Sequence, residues 1–337
     1  MCQHWMSTPL FEFEFIVEPY LSGVRVDTFL ARHLRNHHAW RLHRMVVAGC
    51  VQVNDLTAGP GQRVYPGQVV RIDLVEPPDR DLSRNVETDV SIPIHYEDPW
   101  IVVVDKPMGV VTHPVGDFHS GTLIEALQQH FDSQTLAPGL LRPGVMHRLD
   151  RMTSGLLVVA KEHVSHRTLA DDFEESRIQK RYLALIEGAP DFEQKRIELP
   201  IGQLPGGRSV LMSAKPSALR PRSARTDVTV RQRFGRYTLV ECELHTGRNH
   251  QIRVHLSEIG FPVLGDEFYG PHGQIRSGPR APGEQPTSER HALHACFLEF
   301  THPILQTPLT FQSLPGDDFW QLAETQAASP DVRSAAT

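Results

Sequence analysis

Cysteine is scarce in this chain and widely scattered. Cys2, Cys50, Cys242 and Cys296 form no Cys-x-x-Cys pair, which speaks against a disulfide framework and for reduced thiols in a cytoplasmic protein. Long apolar runs are missing: nothing approaches the roughly 18 residues that a membrane span needs, so no membrane partner is expected. Met1–Leu10 has no basic head followed by an apolar stretch, so no signal peptide is expected either. Several catalytic patterns are also absent. There is no His-Glu-x-x-His, no Gly-x-Ser-x-Gly elbow around Ser154, and no Gly-rich loop or Asp-Phe-Gly to accompany His147-Arg148-Leu149-Asp150. Zincin, serine-hydrolase and kinase readings therefore lose their support. His245, His250 and His255 recur every five residues, a spacing that fits neither a helix face nor a strand face, so no metal site is expected.

Positive charge is not in excess overall. The formal charge is −6, which taken alone argues against a nucleic-acid partner. The distribution argues otherwise. Leu204–Leu256 holds ten Arg or Lys against three Asp or Glu, and Leu21–Val75 holds seven Arg against three Asp. Two basic regions on an acidic chain suit local contact with phosphates, although solvated strand and loop faces would read the same way.

At 337 residues the chain has room for two domains. Residues 1–20 read as an N-terminal segment and 21–75 as a compact unit. Within that unit, Val26–Leu34 and Trp40–Val47 have helical spacing. Gly49–Asp55 alternates into an Asn-Asp turn, and Val69–Leu74 alternates again. The Pro-containing acidic stretch 76–91 reads as a linker. Residues 92–322 carry repeated short apolar runs (IPIHYED, WIVVVDKP, GLLVVAK, RYLALIEG, YTLVECEL, LHACFLEF, LTFQSL) separated by helical pieces at Thr122–His130 and His163–Glu174. Strands outnumber helices without regular alternation, which predicts a mixed α+β sheet. The Gly- and Pro-rich stretch 270–289 reads as a mobile surface insertion, and 323–337 as a disordered tail.

One segment concentrates reactive groups. In His147–Gly155, Asp150 lies between Arg148 and Arg151, and nearby positive charge favours the ionised carboxylate. Thr153, Ser154 and Gly155 add hydroxyls and a flexible turn before the strand Leu156–Lys161. That arrangement can hold Asp150 on a loop at a sheet end, within reach of a substrate. Taken alone, the segment reads more readily as a salt-bridged surface loop.

The letters HRLDRMTSGLLVVAK resemble the signature of the RluA-type pseudouridine synthases. The match continues in the same order. IPIHYEDPWIVVVDKPMGVVTHP resembles that family's opening strands and Lys-Pro-x-Gly loop, KRYLALIEG its active-site tyrosine segment, and LHTGRNHQIRVHLSEIGFPVLGDEFYG its Gln-Ile-Arg block. RHALHACFLEFTHP resembles a late strand pair. Upstream, RVDTFLARHL, GCVQVND and VYPGQVVRIDL resemble the alpha-L RNA-binding module of a ribosomal small-subunit protein and tyrosyl-tRNA synthetases. The usual Ser-Arg opening of that module's second helix is here Ala39-Trp40-Arg41.

The resemblance implies a mainly antiparallel catalytic sheet and an isomerase that turns uridine into pseudouridine without cofactor or metal. It implies Asp150 as the catalytic carboxylate, by attack on ribose, addition to the base or proton removal. Arg253 is implied as its salt-bridge partner, and Tyr182 as a stacking partner that moves a proton late. Arg148 would fill the gap left by the flipped uridine. Arg151 and Arg248 would hold phosphates, Thr153 belongs to the implied substrate contacts, and Lys106 and His113 either touch RNA or pack their loop. RNA is the implied partner, with large-subunit ribosomal RNA favoured and transfer RNA open, and a monomer is the default. A non-catalytic RNA-binding factor with this fold would not need Asp150, Tyr182 and Arg253 together.

Overall fold

Alternating apolar and polar residues build the first unit of the computed structural model, which describes residues 11–34, 37–74, 89–114, 120–134, 143–161, 163–206, 210–276 and 290–327. Its elements are β1 (Phe11–Ile16), α1 (Val26–His33), α2 (Ala39–Val47), β2 (Val51–Val53), β3 (Leu56–Thr57) and β4 (Val69–Leu74). The strands form one antiparallel sheet in the order β1-β4-β2-β3. Asn54 and Asp55, both at positive φ (50° and 63°), close the hairpin between β2 and β3. Asn and Asp tolerate that region better than most residues. Inward residues of the strands meet Phe29, Leu30 and Leu42 of the two helices in a separate apolar core. Among the described residues the unit already includes β1 from Phe11, so the expected boundary at residue 21 falls inside it. The Phe-Glu alternation of β1 is itself a strand pattern.

The second unit contains β5 (Ile94–Glu97), β6 (Ile101–Lys106), α3 (Leu123–Gln134), β7 (Gly144–Val145), β8 (Ser154–Ala160), α4 (His163–Glu174), β9 (Gln179–Glu187), β10 (Gln194–Ile197) and β11 (Ile201–Gln203). It continues with β12 (Met212–Ser213), β13 (Leu219–Arg222), β14 (Thr226–Arg233), β15 (Tyr237–Leu244), α5 (Gln251–Glu258), β16 (Leu293–Thr301), β17 (Pro308–Gln312) and α6 (Asp317–Ala327). The main sheet runs β10-β14-β15-β9-β16-β8-β6-β5, with β17 on β16 and β7 on β8, while β12-β11-β13 form a small separate sheet. Among the described residues the pairing of β16 with β8 is parallel and the other strand pairings are antiparallel. The architecture is the expected α+β one, with a mixed and mainly antiparallel sheet.

The continuous apolar runs have a simple cause. In β6 and β8, Val102, Val104, Leu157 and Val159 face α3 through Leu123, Leu127 and Phe131. Ile101, Val103, Leu156 and Val158 share the opposite core with Leu169 of α4 and Phe300. Strands covered on both faces lose the alternation of half-exposed ones. Where β8 meets β16, Gly155 sits at φ +113°, and a Cβ there would lie 2.3 Å from the Ala295 carbonyl oxygen. Only glycine permits this approach, which brings the chain just after Asp150 against β16.

Three expectations change. Within 270–289, residues 270–276 are anchored: Tyr269 bridges Ile275, and Arg276 binds Glu187 at 2.7 Å and the Asp266 carbonyl at 2.8 Å. Residues 277–289 lie outside the described residues, as do residue 75 and residues 76–88 of the expected linker. Residues 323–327 of the expected tail belong to α6, and 328–337 lie outside the described residues. Part of the charge of the basic stretch Leu204–Leu256 is neutralised within the fold. Arg225 binds Asp227 at 3.1 Å, Arg231 binds Glu241 at 2.8 Å and Arg233 binds Glu193 at 2.8 Å. No described helix is long and apolar enough to cross a membrane.

Candidate active site

Asp150 sits in the turn that leads from β7 into β8, and the loop after β6 holds that turn in place. Gly109 N–H donates to the Arg151 carbonyl at 2.8 Å, and the Thr112 hydroxyl donates to the Leu149 carbonyl at 3.3 Å. Lys106 is fully buried. Its ammonium donates to the carbonyls of Pro107 (2.9 Å), Val110 (2.9 Å) and Arg151 (3.2 Å). Its three donors are thus committed to carbonyls inside the fold. From the other side, the Thr153 hydroxyl pairs with His291 Nε2 at 2.8 Å. Ser154 Oγ pairs with His294 Nδ1 at 2.9 Å and accepts from Arg290 at 3.1 Å. Thr153 is thus buried in the turn, where it also lines the smaller hollow beside Asp150. His147 also turns inward, stacking on Phe173 at 4.4 Å while its Nε2 accepts the Val158 N–H at 3.2 Å.

The carboxylate faces α5. Arg253 Nη1 donates to Asp150 Oδ2 at 2.9 Å, and its Nε and Nη2 grip Asp266 at 2.6 and 2.8 Å. Asp266 also accepts the N–H groups of Phe268 (2.9 Å) and Tyr269 (3.1 Å). The Arg253 side chain is 3% exposed and Asp150 20% exposed, so the guanidinium is locked below while the carboxylate stays reachable. Burial alone would raise the Asp150 carboxyl. The opposing pull of His250, Arg253 and His291, with the Arg253 hydrogen bond, holds it well below the usual carboxylate range. At neutral pH both imidazoles are uncharged, because burial pushes His291 down to about 3 and lowers His250 as well. The attraction that remains is that of Arg253. Two carboxylates around one guanidinium leave one net negative charge at the site.

Two adjoining hollows, about 90 and 240 Å³, share Asp150, Arg148, Leu149, His250 and Arg253. Tyr182, from β9, lines the smaller with Lys180 and Arg248. Burial, then the charge of Asp150, pushes its phenol well above the ordinary value, so the hydroxyl keeps its proton at neutral pH. Burial lowers Lys180 to about 8. The larger hollow is lined by His113, Arg151, Phe268 and His291 among others. Burial and then Arg148 depress the His113 imidazole. Arg148 and Arg151 are exposed at the rim, and Arg248 is half-buried, its Nε donating to the Ser223 carbonyl at 3.0 Å. The structure therefore gathers Asp150, Tyr182, Arg253, Arg148, Arg151, Arg248, His113 and Thr153 around one cleft, and puts Lys106 behind it.

Asp266, His250, His291, Tyr269 and Lys180 went unassigned in the sequence reading. Asp266 lies in the Gly-Asp-Glu-Phe-Tyr-Gly stretch of the matched block, which was the available signal. His250 drew attention only as a metal ligand, and nothing local tied His291 to a residue 138 positions earlier.

A family model described as RNA pseudouridylate synthase matches residues 100–258. An uncharacterized RNA pseudouridine synthase, YlyB, of Bacillus subtilis (strain 168) is 34% identical over 301 residues, 89% of this chain and 93% of that one. A ribosomal large subunit pseudouridine synthase D of Nitrosomonas europaea is 36% identical over 314 residues, 92% of this chain and 87% of that one. Among solved structures, human RNA pseudouridylate synthase domain containing 1 aligns with a TM-score of 0.52 at 26% identity, covering 72% of this chain and 96% of its own.

Proposed function

The chain belongs to the RNA pseudouridylate synthase family, RluA type, an isomerase acting on uridine in RNA, and we propose that Asp150 is its catalytic carboxylate and large-subunit ribosomal RNA its substrate. One observation carries the reading: a buried guanidinium keeps the Asp150 carboxylate ionised where two hollows meet, with Tyr182 lining one of them. The isomerisation detaches uracil from ribose, turns it and rejoins it through carbon, so it is redox-neutral and needs an anionic group beside the sugar and base. A dry, low-dielectric site strengthens such a charge once solvent leaves.

The uridine must first leave its stack, at a cost of a few kcal/mol. Arg148 stands at the rim of both hollows. Its planar guanidinium can stack in the vacated space or bond to the displaced partner. Tyr182 offers a π face to the base and a protonated hydroxyl, which suits proton donation rather than abstraction at neutral pH. Tyr182→Phe keeps the ring and removes that donor. Its turnover should fall by up to roughly a hundredfold, less than Asp150→Asn, and equal losses would make the hydroxyl obligatory.

Arg151 and Arg248 would hold backbone phosphates near the cleft, with His113 beside them. The N-terminal unit would add a second RNA contact. There Trp40 is exposed on α2, with Arg41 and Arg44 at 5.8 and 5.3 Å from its ring centre, a cation-aromatic surface suited to bases and phosphates. The choice of ribosomal RNA is supported by that unit and by the naming of relatives such as the Nitrosomonas europaea protein. The enzyme would act in the cytoplasm as a monomer; free Cys50, Cys242 and Cys296 among the described residues suit a reducing compartment. Mapping pseudouridines in cellular RNA with and without the gene tests the whole reading. A large-subunit position should lose its pseudouridine in the deletion and regain it with the wild-type gene but not with Asp150→Asn. Loss confined to transfer RNA would move the substrate there.

A further inference from the structure

His250 opens α5 in the left-handed region, at φ 54° and ψ 21°. A residue with a Cβ pays roughly 1–2 kcal/mol for that conformation, and such strain persists only where surrounding contacts over-determine it. Here the ring stacks beside Phe268 at 6.0 Å and meets Tyr269 edge-on at 5.7 Å. The result is an imidazole held between a buried phenol and the reactive carboxylate: Nδ1 is 2.7 Å from the Tyr269 hydroxyl, and Nε2 is 3.8 Å from Asp150 Oδ2.

Proton accounting settles which nitrogen faces Asp150. The Tyr269 oxygen accepts the Met212 N–H at 3.0 Å. Burial raises the Tyr269 phenol well above its ordinary value, so the hydroxyl keeps its one proton. Among the described residues the acceptor within its reach is His250 Nδ1. An imidazole that accepts at Nδ1 carries its hydrogen on Nε2, the nitrogen turned towards Asp150. Arg253 addresses the same carboxylate oxygen at 2.9 Å. Oδ1 is left for the nucleotide.

We propose that His250 is a positioning residue for Asp150: Tyr269 fixes its tautomer, and its Nε2–H joins Arg253 in holding Oδ2 so that Oδ1 is the oxygen presented to substrate. The inference rests on Asp150 being the reacting group. At 3.8 Å the contact is longer than a hydrogen bond, and it tightens when the nucleotide displaces the water around the carboxylate. Catalytic hydrogen bonds are commonly long before substrate arrives.

The test uses the full chain and RNA carrying tritium at carbon 5 of its uridines, whose release reports turnover. His250→Ala should lower kcat by roughly ten- to a hundredfold, the scale expected of a misplaced reacting group, with KM within about threefold of wild type. His250→Gln, whose amide N–H reaches a similar point, should recover most of the loss. Wild-type kcat in His250→Ala, or equal impairment in the Gln variant, overturns the proposal. A long-range 1H–15N correlation on histidine-labelled wild type reads the tautomer in the unaltered site, with His250→Gln used only to assign the resonance. The resonance missing from His250→Gln should show a hydrogen on Nε2, and one on Nδ1 overturns the assignment. Asp150→Asn assayed alongside separates the two ideas: activity there sinks both, whereas its loss with full kcat in His250→Ala sinks only this one.

Discussion

Asp150→Asn is expected to lower pseudouridine formation by more than about a thousandfold while leaving RNA affinity within about threefold of wild type. The substitution keeps the shape of the side chain and removes its charge. Asn can still accept from Arg253 Nη1 through its amide oxygen. Arg253 retains its two-pronged grip on Asp266, so the floor of the cleft should survive. The rim groups Arg148 and Arg151 are untouched, and phosphate contacts supply most of the affinity for nucleic acid. Tritium release and filter binding on one preparation measure both quantities. Retained turnover would rule out Asp150 as the essential anion.

Arg253→Met should be the most destabilising single change at the site and should also abolish turnover. The guanidinium lies between Asp150 and Asp266 and is itself almost wholly buried. Removing one partner from a buried ion cluster costs about 3–5 kcal/mol, readable by urea denaturation at neutral pH. The pH dependence carries a sign that packing loss alone would not produce. In the wild type burial opposes ionisation of both carboxyls, but His250, Arg253 and His291 at Asp150, and chiefly Arg253 at Asp266, more than compensate and hold both below their usual range. Their contribution to stability is present above the unfolded value near 4 and is lost as pH falls through the depressed folded values. Without Arg253, burial dominates and the carboxyls rise, so they penalise folding at neutral pH and the penalty lifts on acidification. The stability gap between wild type and Arg253→Met should therefore narrow from pH 7 to pH 4. A gap independent of pH would mean that Arg253 acts through packing alone.

The letters around Asp150 announced a reactive turn because its features are local. Flanking arginines, small hydroxyl residues and a glycine before an apolar strand all lie within one short segment. The α+β architecture was legible for a similar reason, since strands such as β6 and β8 carry long unbroken apolar runs. By contrast, α5 left no periodic trace. Every residue from Gln251 to Ser257 is buried, and a helix covered on all sides has no polar face to alternate with an apolar one. The one helix that supplies Arg253 was thus the one hardest to see.

Charge was the other blind spot, because a sequence counts charges but does not pair them. Arg231 and Arg233 of β14 looked available for phosphate, yet in the folded chain they meet Glu241 on the neighbouring strand and Glu193. Lys106 looked like an RNA contact or a packing residue, and its ammonium meets three carbonyls brought close by two loops. The chain order alone specified which residue types could do the chemistry and the turn that displays Asp150. Folding alone decided which of them meet. Asp150 comes from one stretch of the chain, His250, Arg253 and Asp266 from a second about a hundred residues later, and His291 from a third. Whether a carboxylate there is ionised depends on the balance between lost solvent and nearby charge, which exists only once those segments are packed together.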